Sequence, residues 1–185
     1  MYFLQPGQKR LITSFNPVFV GLFVLVLILI RTTSEPVIPA VLRQWDLLLP
    51  AIIYVGQRRG LFEGLLLVLF LSHLYSLCSA APIGVFVVHY LLIFALARLL
   101  IYVIYANNWL SVSGLILFLS FISRILLPIV AKAFGHSWSI VSFQNFVWWS
   151  LLINTFVGFI VYAFLGTLDR LTYKAPPSNI ELDEN

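Results

Sequence analysis

The stretch Phe15-Asn-Pro-Val-Phe-Val-Gly-Leu-Phe-Val-Leu-Val-Leu-Ile-Leu-Ile30 holds no charged residue, and Lys9, Arg10 and Arg31 flank it. A helix needs about 20 mostly apolar residues to cross about 30 Å of hydrocarbon, and this run with its flanks approaches that length. A cleaved secretory signal has a similar profile, but no small-x-small cleavage site follows, so the run reads as a membrane span.

The rest of the chain has the same character. Of its 185 residues 61% are hydrophobic and 10% charged, with a mean hydropathy of +1.01, against about 25% charged in an ordinary soluble domain. Seven acids and eleven bases cannot furnish the polar exterior that a water-soluble fold of this size requires. The expected class is an all-α integral membrane protein.

Five further apolar runs follow: Trp45 to Val55, Leu61 to Cys78, Ile83 to Tyr105, Leu110 to Ala131 and Phe146 to Leu168. The second is too short to cross alone and contains Pro50, so it is expected to begin near Val37, or to be tilted or broken. Short turns at 56–60, 79–82 and 106–109 leave neighbouring helices antiparallel and no room for a second domain. The chain divides into a cytoplasmic N-terminal segment, 1–14, a helical bundle, 15–174, and a tail, 175–185, too poor in apolar residues to pack and expected to be disordered. The segment from Lys132 to Asn145 has a composition suited to lying in the membrane interface.

Bases near span ends stay on the cytoplasmic side. With six spans, Lys9, Arg10, Arg58, Arg59, Arg170 and Lys174 share a side against Arg31, Arg43 and Lys132, which places both termini in the cytoplasm. Trp45, Trp109, Trp138, Trp148 and Trp149 fall near span ends, where indoles favour the headgroup layer. The pI near 9.4 does not point to nucleic acid, because the bases are scattered as pairs and singles.

Ionisable groups inside spans are the first candidates for function. Arg98 and Arg124 lie in the fourth and fifth runs, His73 in the third and His89 in the fourth. Glu63 is the acid available to Arg98 and Asp46 the acid available to Arg124; otherwise each arginine snorkels to its nearer interface. His89 and Arg98 are nine positions apart and fall on opposite sides of one helix. The lone Cys78 excludes an internal disulfide and any zinc site with two cysteines, and the two histidines are too isolated for a metal site. Asp46, Glu35 and Asp169 stand apart, so no carboxylate pair suggests acid–base catalysis. Nucleotide-binding and hydrolase motifs are missing, and no cofactor is implied. Gly60 and Gly64 form a small-xxx-small pair that favours close helix approach.

Asp46-Leu47-Leu48-Leu49-Pro50 through Tyr54, then Arg58-Arg59-Gly60, Gly64 and Ala81-Pro82-Ile83-Gly84 resemble the pattern PDLLLLLLVY…RRG…G…SPLG of the rod shape-determining MreD family. The closing stretch Asn154 to Arg170, ending Leu168-Asp169-Arg170-Leu171, is similar too, so the likeness covers most of the chain. One departure is Ser76, where family members often carry an Asp six residues before the proline. The resemblance implies a non-enzymatic inner-membrane scaffold in the bacterial cell-wall elongation complex. Its implied partners are the single-span protein MreC and, more widely, MreB, RodA and its transpeptidase. It also implies a fold similar to the substrate-binding subunits of energy-coupling-factor vitamin transporters. On this reading Gly60, Gly64, Pro82 and Gly84 are packing or partner positions.

Two other classes compete. A vitamin-binding transporter subunit shares length, span number and hydropathy, but such subunits resemble one another in an Ala-x-x-x-Ala docking pair on the first helix. Here Gly21 is the only small residue of that run. An intramembrane enzyme has the least support, because no nucleophile stands at helical spacing from a base.

Overall fold

The computed structural model describes residues 6–34, 46–79, 84–100, 109–135 and 147–174. Those residues form six helices and no strand: α1 (Pro6–Ser34), α2 (Leu48–Arg58), α3 (Leu61–Cys78), α4 (Val85–Leu100), α5 (Trp109–Ala133) and α6 (Val147–Leu171). The expected tail 175–185, the interface segment within 136–146, Pro82 and any start of the second helix before residue 46 lie outside the described residues, as do the side chains of all five tryptophans.

The shortest helix is the centre of the fold. Every residue of α2 from Leu48 to Gln57 is buried, as expected of a helix that is apolar all round. The other five close a ring about it, α3 beside α4, then α5, α6, α1 and back to α3, and each of them also touches α2. Each ring helix contributes a single buried stripe. In α1 it is Val20, Val24 and Ile28, and in α4 it is Phe86, Tyr90, Ile93, Phe94 and Ala97, at the spacings that bring side chains onto one helical face.

Among the described residues four helices are long and apolar enough to cross a membrane: Leu11–Thr33, Leu61–Cys78, Leu110–Ala133 and Leu151–Leu171. In the most apolar 18 residues of each, between 28% and 39% are buried. The outward faces carry large apolar side chains, among them Phe15, Phe19, Phe62, Phe70, Phe118, Phe156 and Phe164. A surface so continuously apolar suits lipid and not water. With 11 residues, α2 is about 16 Å long and is enclosed by protein. Its shortness reflects the polar residues at both ends, Asp46 before it and Gln57, Arg58 and Arg59 at its close.

Close helix approach depends on three glycines. A Cβ on Gly158 of α6 would stand 2.8 Å from Ile116 Cγ2 and 3.2 Å from the Pro50 ring. One on Gly64 would stand 2.9 Å from the Phe94 ring, and one on Gly56 3.1 Å from Ala97 Cβ. Gly84 has φ +101°, a backbone conformation that suits glycine, and a Cβ there would stand 3.1 Å from the Phe134 ring. The expected packing role of Gly60 is corrected: nothing lies within 4 Å of a Cβ there. Gly60 serves as the N-cap of α3, its carbonyl accepting from Gly64 N at 2.8 Å, and the close approach belongs to Gly56, one turn earlier.

Gly158→Ala is therefore expected to cost about 1–3 kcal/mol by overpacking. Gly60→Ala, with φ −58° and ψ 154°, should stay within about 0.5 kcal/mol of wild type. Thermal unfolding in detergent distinguishes the two, and equal losses would refute this packing scheme.

Candidate functional site

Two polar clusters stand at opposite ends of α2. At its C-terminal end Asp169, near the close of α6, is a hub. Its Oδ1 accepts from Arg59 Nη2 and, at 2.9 Å, from Asn16 Nδ2 of α1, while its Oδ2 accepts from the Tyr54 hydroxyl. Arg59 is fully buried and Asp169 nearly so. A second carboxylate reaches the same guanidinium, Glu63 Oε1 lying 3.5 Å from Arg59 Nη1, and Lys174 Nζ donates to Glu63 Oε2 at 2.9 Å.

The turn after α6 completes this cluster. Lys174 N bonds to Asp169 O at 2.9 Å, and Tyr173 takes φ 55°, the left-handed residue and long-range bond of a Schellman cap. The Thr13 hydroxyl donates to Thr172 O at 3.0 Å, and Asn16 Nδ2 also donates to the Thr172 hydroxyl. The last turn of α6 is thus tied to α1, α2 and α3.

Arg98 and Glu63 are not each other's partners as expected. Arg98 Nη1 donates to the carbonyl oxygens of Arg59 and, at 3.4 Å, Gly56. Carbonyls in the last turn of a helix lack intrahelical donors, so Arg98 of α4 closes the end of α2, while Glu63 is engaged by Arg59 and Lys174. Beside them the Tyr162 hydroxyl donates to Gln57 Oε1 at 2.7 Å.

At the N-terminal end of α2, Asp46 Oδ1 accepts from Leu48 N and Leu49 N, both at 3.1 Å. The carboxylate thus serves the first free N–H groups of α2 as a capping side chain does, from one residue before the cap position, Leu47, and Pro50 is harmless in the first turn, where an N–H would have no helical acceptor. The Tyr90 hydroxyl reaches both Asp46 oxygens, at 3.0 and 2.9 Å, and Asp46 N donates to Asn154 Oδ1 at 2.8 Å.

Next to this cluster His89 Nε2 lies 3.0 Å from Ser123 Oγ. A hydroxyl and an imidazole at that separation have the spacing of a nucleophile and its base. They stand on different helices, so helical spacing could not reveal them. Among the described residues no third group orients the ring, His89 Nδ1 having no hydrogen-bond partner there. His73, by contrast, is on the exposed face of α3. Among the described residues no group of three or more His, Cys, Asp or Glu is placed to hold a metal ion.

Sequence reasoning set Asp169 aside. The available signal was an acid inside the last turn of an apolar helix, a position that normally requires a named partner. Comparison with family models, with curated proteins and with solved structures finds no match.

Proposed function

We propose that this chain is a non-enzymatic scaffold subunit of a bacterial cell-wall elongation complex, lying in the inner membrane with both termini cytoplasmic and binding an MreC-like single-span protein. The observation that carries this reading is where the residues of the sequence resemblance fall. Asp46 caps α2, Arg59 and Asp169 pair at its other end, and Gly64 admits the Phe94 ring. These polar residues are committed to holding six helices together. What the bundle offers outward is apolar helix faces, the surface with which one membrane protein holds another. In this orientation the cluster of Arg59, Glu63, Asp169 and Lys174 lies at the cytoplasmic end and that of Asp46 towards the outer side.

The test is made in a rod-shaped bacterium that depends on this chain. The double variant Gly64→Leu, Gly84→Leu, present at the wild-type level, is expected to round the cells. Wild-type protein drawn from the membrane in mild detergent is expected to bring down a single-span protein with a periplasmic domain. Rod-shaped growth of the variant would refute the proposal. So would recovery of a stoichiometric small molecule in place of a protein partner, the outcome belonging to a transporter subunit.

A further inference from the structure

We propose that an enclosed water molecule sits between α4 and α5, bridging His89 Nδ1 and Ser120 Oγ. Both residues are 1% exposed, and neither of these atoms has a hydrogen-bond partner among the described residues. The contact between the helices is fixed one turn away: His89 Nε2 meets Ser123 Oγ at 3.0 Å, and Ser120 precedes Ser123 by three positions, so the two hydroxyls share one face of α5. The orphaned nitrogen and the orphaned hydroxyl therefore border the same seam. Moving the proton between the ring nitrogens does not remove the need, because in either tautomer Nε2 meets Ser123 and Nδ1 meets none of the described residues.

Serine on a helix commonly satisfies itself on the carbonyl four residues back, as Ser72 does on Val68 O at 2.6 Å. Ser120 does not, and its hydroxyl remains available to the seam. Buried polar atoms cost stability unless paired, most of all where no bulk water reaches them. Water is the ligand whose chemistry matches, since it gives and accepts hydrogen bonds and can serve the imidazole in either tautomer. The location agrees with this. Asp46 and Arg59 are 13 positions apart, about 20 Å along a helix, which is less than the ~30 Å of hydrocarbon. With Arg59 at one membrane surface, the layer of Asp46, Tyr90 and His89 lies inside the apolar slab, where internal water replaces the missing solvent.

The experiment is water-edited solid-state NMR on the full chain in lipid bilayers with 15N-labelled histidine. The chain has three histidines, and the double variant His73→Gln, His136→Gln leaves His89 as the sole signal. Magnetisation is expected to pass from water to the His89 nitrogens within the mixing time that serves an exposed histidine, and Ser120→Val, which fills the seam, is expected to reduce that transfer several-fold. Transfer to His89 that stays at the level of a lipid-buried amide would overturn the proposal. So would transfer unchanged by Ser120→Val in a protein that retains its thermal stability.

Discussion

Asp169→Ala is expected to cost about 3–5 kcal/mol, the loss typical when one member of a buried ion pair is removed and the other charge stays behind. The charge left is Arg59, fully buried, with its guanidinium still facing Glu63 at 3.5 Å. Glu63 is a poor substitute, being partly exposed and already engaged by Lys174, and Glu63→Gln alone should cost no more than about 1 kcal/mol. Asp169 also accepts from Tyr54 and Asn16, whose orphaned donors add to the penalty. Removing both charges as Arg59→Met, Asp169→Leu is expected to recover part of the loss, because no buried charge is then left without its partner at this end of the bundle. Recovery stays incomplete, since Tyr54 and Asn16 still lack their acceptor. Thermal unfolding in detergent reads the effect at about 2–4 °C per kcal/mol for a chain of this length. A double variant no more stable than Asp169→Ala would show that the ion pair is not what closes this end of the bundle.

The long lipid-facing helices were legible because hydropathy reports them directly. The run Leu61 to Cys78 coincides with α3, and the fifth and sixth runs agree with α5 and α6 to within a few residues. The centre of the fold was not, for the same reason. Membrane spans are recognised by length, and α2 is short because its ends are polar and satisfied by other helices. Asp46 and Pro50 look like an interruption when read along the chain, whereas together they are the start of a helix. Of the acids in the two acid–base pairs expected, Asp46 meets Tyr90, Asn154 and its own helix start by hydrogen bonds. The pair of Arg98 and Glu63 fails because Arg98 meets backbone carbonyls, partners that sequence does not display. Arg59 and Asp169 are 110 positions apart, and no spacing rule joins them. Glycine roles divide similarly: Gly64 and Gly84 stood in recognisable patterns, while Gly56 and Gly158 matter through Ala97, Ile116 and Pro50, neighbours that only the fold supplies.

Asp46→Ala is expected to give the second large loss, about 2–5 kcal/mol, in two separable parts. The helix start loses the acceptor for Leu48 N and Leu49 N, a term of about 1 kcal/mol in ordinary N-caps. The Tyr90 hydroxyl, on a side chain 1% exposed, loses both oxygens it contacts, at about 1–3 kcal/mol for an orphaned buried donor. Asp46→Asn keeps a side-chain oxygen for the cap and should fall between alanine and wild type. Tyr90→Phe removes the hydroxyl alone, so in the Asp46→Ala background it should cost little, giving a coupling between the two sites of about 0.5–3 kcal/mol. The bond from Asp46 N to Asn154 Oδ1 uses the backbone and survives every one of these changes, which leaves α6 docked and makes the differences attributable to the carboxylate. Purely additive losses for Asp46→Ala and Tyr90→Phe would mean that the two groups do not share a hydrogen bond, and that α2 starts without help from α4.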